Sequence, residues 1–241
     1  MKNENVYEEK ARKILDYLKT DIRRNHSFLP RPFFIEFTGS PSAGKTTAIK
    51  EMDKFLRLMG FRVLMPQEGA EEIRHIERTT PLYNIRTGLY ALTKLIDFAA
   101  GHLYDVVIFD RCIFDAYCWM MYWREKQKLS EAEMAMVQQF FLSRFWTSYI
   151  DLPIFVVCNP EEAMRREQRI SVSKKMGQTS NPATIATLVN RYRTAFNQLK
   201  PDYHQLQLLD TTKMREQAVI EKVTGMILEM MEKKASQSAT Q

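Results

Sequence analysis

The sequence predicts an α/β fold: a parallel, doubly wound sheet with helices on both faces. Three observations predict it. Short apolar runs alternate with longer amphipathic stretches along the whole chain. One run, DVVIF at 105–109, is almost continuously apolar, as in a strand covered on both faces. A glycine-bearing segment, 39–46, joins an apolar run to a helical one.

Taken in order, the spacing predicts a helix over 4–24, with Val6, Ala11, Ile14, Leu15 and Leu18 near one face. Pro30 and Pro32 break it. A strand is expected at 33–38, then a helix at 45–58 closed by Gly60. The second strand is 61–65, followed by a short helix at 71–77 and a longer one at 86–100. After the strand at 105–109 come helices near 113–125 and 131–148, then a strand at 154–157. A helix at 161–170, a polar loop at 171–182 and a helix at 183–199 lead to a last strand at 206–209 and an amphipathic helix at 213–233. Nothing between them is rich enough in Gly, Pro or Ser to divide the chain. The expected organisation is a helical extension at 1–30, one domain at 31–234 with a lid at about 165–182, and a disordered tail at 235–241.

The composition excludes several classes. With 241 residues, 45% of them apolar, the chain can bury a large core. No apolar run approaches the roughly 20 residues that span a bilayer, and the charged N-terminus lacks the core of a secretory signal. Cys112, Cys118 and Cys158 match neither zinc-site spacing nor a disulfide framework, so a cytoplasmic location is expected. A net charge of +6 favours anionic small molecules without arguing for nucleic acid. His75 and His102 read as surface or structural groups.

Gly39-Ser40-Pro41-Ser42-Ala43-Gly44-Lys45-Thr46 fits every position of the phosphate-binding P-loop pattern, and Thr47 extends it. Gly39 and Gly44 let the backbone curl around a phosphate chain. Amides from Ser42 through Ala43 to Thr46 then converge on anionic oxygens at a helix N-terminus. Lys45 supplies a point charge for the β- and γ-phosphates, and the Thr46 hydroxyl is a ligand for Mg²⁺. The cofactors expected are therefore ATP and Mg²⁺.

The apolar run 106–109 ends in Asp110, where P-loop proteins place a second acidic metal ligand. A motor or AAA-type ATPase usually sets Glu beside this Asp to activate water; here Arg111 follows, a residue able to clamp an acceptor or stabilise transferring charge. No guanine-reading Asn-Lys-x-Asp motif occurs.

These segments (GSPSAGKTT, a strand ending near Glu68, VVIFDRCIFDAYCW, IFVVCNPEEAMRREQRI, Asn190-Arg191-Tyr192 and a final LLD) resemble the deoxynucleoside kinase and thymidylate kinase group of P-loop kinases, over residues 33 to about 230. The resemblance implies the P-loop NTPase fold with a five-stranded sheet in the order 2-3-1-4-5, a mobile lid over ATP, and transfer of a phosphoryl group to a nucleoside or nucleotide. The chain departs from that group in the segment PQEGAEEIRH, in lacking a clean R-x-R pair in the lid, and in its N-terminal helix.

On the acceptor side the resemblance implies that Glu68 takes the proton of the attacking hydroxyl, with Glu71 and Glu72 as competing carboxylates. Arg74 reads either as a holder of an acceptor phosphate or as a surface arginine paired with Glu71 or Glu77. Phe114, Tyr117 and Trp119 are candidates for stacking an acceptor base, or for the core. In the lid, Arg165, Arg166 and Arg169 are candidates for neutralising the transferred group, with Lys174 and Lys175 beyond them. A kinase of a nucleoside or nucleotide stands first. A kinase of another small hydroxylated metabolite and a nucleotide-gated regulator or effector stand as alternatives. The expected partner is a small-molecule acceptor, with no membrane and no nucleic acid; a homodimer through 86–100 or the Met-rich last helix (Met226, Met230, Met231) is left open.

Overall fold

Seven consecutive buried residues, Phe33–Gly39, form β1, the middle strand of the sheet. The computed structural model describes residues 6–16, 31–101, 103–170 and 182–238. The remaining strands are β2 (Val63–Leu64), β3 (Val106–Asp110), β4 (Ile150–Val157) and β5 (Gln207–Asp210), ordered β2-β3-β1-β4-β5. Every pairing is parallel. This is the P-loop NTPase arrangement and the strand order expected above.

Parallel pairing puts all the carboxyl ends on one edge, where open α/β sheets bind ligands. Phe37 lies beside Asp110, Gly39 beside Val156, and Val157 beside Asp210. Alternate side chains leave each strand on opposite faces. Phe33, Ile35 and Phe37 enter one core, with Val106, Ile108, Ile154 and Val156. Phe34 enters the other, with Val107, Phe109, Phe155 and Val157.

The first core is closed by α2 (Lys45–Leu58), α10 (Glu216–Ser238) and a helix at 6–16, here α1. The second is closed by α4 (Pro81–Ala99), α5 (Ile113–Glu125), α6 (Glu131–Phe141) and part of α9 (Pro182–Leu199). Short helices α3 (Gly69–Glu72) and α7 (Arg144–Thr147), and α8 (Pro160–Ile170) after β4, complete the order.

Several boundaries differ from the sequence expectation, each for a local reason. The second strand shrinks to two residues because Phe61 N–H bonds to the turn closing α2, at Leu56 O, and Arg62 N–H goes to the Asp105 carboxylate. α4 begins at Pro81, a residue suited to the first helical position. β4 starts at Ile150 and contains Pro153, which lies before β5 begins to pair at Ile154, so the strand is an edge there. The helix expected over 131–148 is two helices, α6 with a Ser130–Glu133 capping box and α7 capped by Ser143. α10 carries on to Ser238, four residues into the stretch expected as a disordered tail, because no Gly or Pro stops it. The expectations for 17–30, for the polar lid loop at 171–181 and for 239–241 lie outside the described residues.

The N-terminal helix was expected as an extension. Within 6–16, however, Ala11, Ile14 and Leu15 are buried in the first core with Phe33, Ala48 and Val223. Lys10 also pairs with Glu232 of α10 at 2.7 Å. Met231 is buried in the same core, with Met226 and Met230 packed against it. Ile14→Ala should therefore cost about 2–4 kcal/mol, as for a core cavity, in one cooperative transition measured by urea unfolding. A loss below about half a kcal/mol would mean that α1 is an appendage.

Candidate active site

The P-loop follows β1. Gly39 has φ +136°, and a Cβ there would sit 1.9 Å from the carbonyl oxygen of Val156, so glycine alone fits against β4. Ser40 N–H donates to that same oxygen at 3.1 Å. Ser42 (φ 54°) and Gly44 (φ 94°) are both left-handed, which turns the chain back into α2. Because α2 starts at Lys45, the first N–H groups of the helix have no intrahelical acceptor and face the loop. The Ser40 hydroxyl is buried without a partner among the described residues.

Lys45 is buried, and its ammonium donates to the carbonyls of Gly39 at 3.1 Å and Ser40 at 2.8 Å. Burial, helped by the neighbouring Arg111, brings its pKa down to about 8, against the opposing pull of Asp110, Asp115 and Glu68. The Thr46 hydroxyl lies 3.4 Å from Asp110 Oδ2, which gives two hard oxygen donors side by side at the mouth of the loop. That pair suits Mg²⁺ shared with phosphate oxygens. Among the described residues no group of three His, Cys, Asp or Glu could hold a metal unaided.

A cavity of about 660 Å³ opens beside the loop, bounded by Ser42 to Ala48, by Arg165 and Arg166 of α8, and by Arg215 and Ile220 across from them. The two arginines differ. Arg165 is exposed and paired with Glu162 at 2.7 Å. Arg166 braces the wall: it donates to Thr211 O at 2.8 Å and to Glu162 at 2.7 Å, while Thr211 donates to Ala43 O at 2.9 Å. Ser42 Oγ donates to Glu167 of the same helix at 2.5 Å. The Arg169 side chain lies outside the described residues. Thr47 also lines the cavity.

On the other side of Lys45, β3 delivers Asp110 and then Arg111. Arg111 has φ +69°, an uncommon conformation for a non-glycine residue, and its N–H still donates to Phe37 O at 2.8 Å. The turn aims its guanidinium back across the sheet edge. It donates to Asp115 Oδ1 at 2.8 Å and to Tyr192 OH at 3.0 Å, and pairs with Glu68 at 3.3 Å. Burial works against its charge, but Asp115 and its other partners outweigh that, so it stays protonated. Asp115 also accepts from Thr38 at 2.5 Å and from Tyr192 at 2.8 Å. Burial raises the Glu68 carboxyl pKa, with Arg111 pulling it down.

Glu68 and Arg111 line a second cavity of about 180 Å³, together with Arg78, Tyr83, Asn84 and Trp119. Three expected acceptor residues are elsewhere. Arg74 is exposed and donates to Glu71 O, because α3 ends at Glu72 and the chain turns away. Phe114 is fully buried between Phe155 and Tyr203, in the core. Tyr117 points toward α9, its hydroxyl 3.2 Å from Gln198. Asp115 and Tyr192 were not singled out as site residues from the sequence. Asp115 had a signal, the i,i+4 spacing from Arg111. Tyr192, 81 residues from Arg111, entered only as part of the Asn190-Arg191-Tyr192 segment, with no role attached to it.

A family model described as an AAA domain matches residues 34–183, more than half of the chain. The chain belongs to that family. It is a P-loop nucleotide-binding protein, and the match covers the P-loop, Asp110 and Arg111 without distinguishing any nucleoside or thymidylate kinase. No curated protein matches it. No described helix is long and apolar enough to cross a membrane.

The lysine of this P-loop sets a pH limit. The protonated ammonium is the form that attracts phosphate, and its pKa in the free protein is about 8. Nucleotide affinity should hold below pH 8 and then fall by up to about tenfold per pH unit above it. Calorimetric titration with a non-hydrolysable ATP analogue and Mg²⁺ at pH 7, 8 and 9 measures this. Lys45→Ala should bind weakly and without that slope; equal wild-type affinity at pH 7 and 9 would contradict the assignment.

Proposed function

We propose that this P-loop protein is a phosphotransferase that uses Mg-ATP to phosphorylate a hydroxyl of a nucleoside or nucleoside monophosphate. One observation carries the reading: two cavities open at this sheet edge, one at the phosphate loop and lined by Lys45, the other lined by a carboxylate, Glu68, and an arginine, Arg111. A hydrolase needs room only for water, whereas a transferase needs a second, shaped compartment.

In this reading the amides of 42–46 and Lys45 hold the β- and γ-phosphates. Thr46 and Asp110 would hold Mg²⁺, which when bound neutralises phosphate charge. The acceptor hydroxyl lies beside the Glu68–Arg111 ion pair, within reach of the carboxylate. Its oxygen bonds to the γ-phosphorus as the bond to the bridging β-oxygen breaks, and ADP leaves. The hydroxyl proton passes to Glu68, whose burial-raised proton affinity suits the task. Arg111, kept charged, offsets charge on the transferring group, and Arg165 is the lid-side cation facing the cavity beside the phosphate loop.

A second reading, a nucleotide-gated regulator, is favoured by the placement of α10. Ile220 lines the nucleotide cavity and also a groove shared with Tyr7 and Glu8 of α1. Incubation with γ-labelled ATP and separate pools of nucleosides, nucleoside monophosphates and other hydroxylated metabolites separates the readings. Label on a nucleoside or monophosphate is the expected outcome; label only on another metabolite moves the acceptor class, and free phosphate alone favours the regulator.

Two variants test the roles. Lys45→Ala should lower transfer by about 10²–10³-fold with the fold intact by circular dichroism. Glu68→Gln should retain nucleotide binding while turnover falls by about 10²-fold or more. Near-normal turnover in Glu68→Gln would pass the orienting role to another group.

A further inference from the structure

The phosphate loop holds a serine in a conformation that glycine would adopt more easily. Ser42 lies at φ 54°, in the left-handed region that opposes an L side chain. The loop's other positive φ values fall at Gly39 and Gly44, where glycine meets the need. A serine in such a place must be held by its surroundings. Two successive residues of α8 hold it. Glu167 accepts from the Ser42 hydroxyl at 2.5 Å, the short distance typical of a hydroxyl on a carboxylate. Arg166 Nη1 reaches the Ser42 carbonyl oxygen at 3.5 Å. The buried Cys158 thiol lies against the same oxygen, with Sγ 3.8 Å away. The next carbonyl, that of Ala43, accepts from the Thr211 hydroxyl at 2.9 Å, and Arg166 donates to that hydroxyl at 3.0 Å.

This grip bears on nucleotide binding because the backbone angles at Ser42 set how its own N–H and the next one are directed. We propose that Glu167 is a positioning residue for the P-loop. By holding the Ser42 hydroxyl it keeps the backbone left-handed, so that the amides of Ser42 and Ala43 converge on the phosphate chain of a nucleoside triphosphate. A loop shaped before its ligand arrives spares the ordering cost of binding. The shape is set from α8, the helix that also carries Arg165 to the rim of the nucleotide cavity. In this role the Ser42 hydroxyl serves the loop and not the phosphate. The inference concerns nucleotide binding alone, and it stands whether or not the bound nucleotide is a phosphoryl donor.

The experiment is calorimetric titration of full-length protein with a non-hydrolysable ATP analogue and Mg²⁺, with the thermal midpoint of each free variant as the check on folding. Glu167→Ala should weaken binding about tenfold, and Glu167→Gln, which keeps an oxygen acceptor, by less than about threefold. Ser42→Gly should bind about tenfold more tightly than Ser42→Ala, because glycine reaches the left-handed region without help and alanine does not. In the Ser42→Gly background the effect of Glu167→Ala should shrink to less than about twofold, the coupling expected when one residue acts through the other. Unchanged or tighter binding in Glu167→Ala would overturn the proposal. So would equal losses in Ser42→Gly and Ser42→Ala, which would assign the hydroxyl to the phosphate itself. An undiminished Glu167→Ala effect in the Ser42→Gly background would overturn it too, by routing Glu167 through another contact. The Ser42 pair leaves α8 intact, so it decides the matter even where Glu167→Ala folds poorly.

Discussion

A carboxylate buried in the middle of the central strand ties the two halves of the site together. Glu36 is fully buried, and its oxygens accept the backbone N–H groups of Cys112, Asp115 and Phe114 at 2.9, 2.9 and 3.2 Å. Those amides are the unsatisfied donors at the start of α5, so a side chain from β1 caps a helix that begins after β3. The turn so clamped carries Asp110, Arg111 and Asp115. Left-handed backbone at Arg111 persists only where surroundings over-determine it, and this clamp with the Arg111–Phe37 ladder bond does so. Burial lifts the Glu36 carboxyl to about 8, against the pull of the three N–H groups, so holding the turn has a cost elsewhere in the fold.

From that clamp the geometry of the edge follows. β1 and β3 are in register at Phe37 and Asp110, which brings the Thr46 hydroxyl and Asp110 within 3.4 Å across two loops. Asp115 then gathers Thr38 from β1, Arg111 from the turn and Tyr192 from α9 on one oxygen. Tyr192 thereby ties α9 to Arg111 as well as to Asp115. A shift of α9 would be felt at Arg111 through two short hydrogen bonds.

The P-loop, the Asp–Arg strand end and the sheet were legible in the sequence because each is written in contiguous residues whose spacing matches a local geometry. The second cavity was not, and particular residues show why. α5 buries Ile113, Phe114, Asp115, Ala116, Cys118, Met120, Met121 and Trp123, so it has no polar face by which periodicity could separate Phe114 in the core from Trp119 at the cavity. Counting forward from Glu68 to Arg74 assumed a continuing helix. α3 stops at Glu72, and it is Arg78 that lines the cavity, while donating to Ala70 O at 3.1 Å. Tyr83 and Asn84 lie at the start of a helix whose first turn the sequence left as loop, because Pro81 reads as a breaker before it reads as a helix start. The apolar stripe of the N-terminal helix is legible in the sequence, but the surface it covers, on α2 and α10, is not, because it is assembled from distant segments.

The charges at the edge argue for what must enter it. Lys45 and Arg111 face Glu68, Asp110 and Asp115, two cations against three carboxylates. The free protein tolerates this because each cation is already satisfied: Lys45 on two loop carbonyls, Arg111 on two carboxylates and a phenol. A triphosphate alone would add negative charge to an edge that already carries an excess. The oxygens of Thr46 and Asp110 stand where a divalent cation would reverse that balance, so nucleotide and metal are expected to bind as a unit. Arg111 lines the second cavity and pairs with Glu68 there. In the proposed transfer, charge moving from the nucleotide toward the second cavity would run toward Arg111.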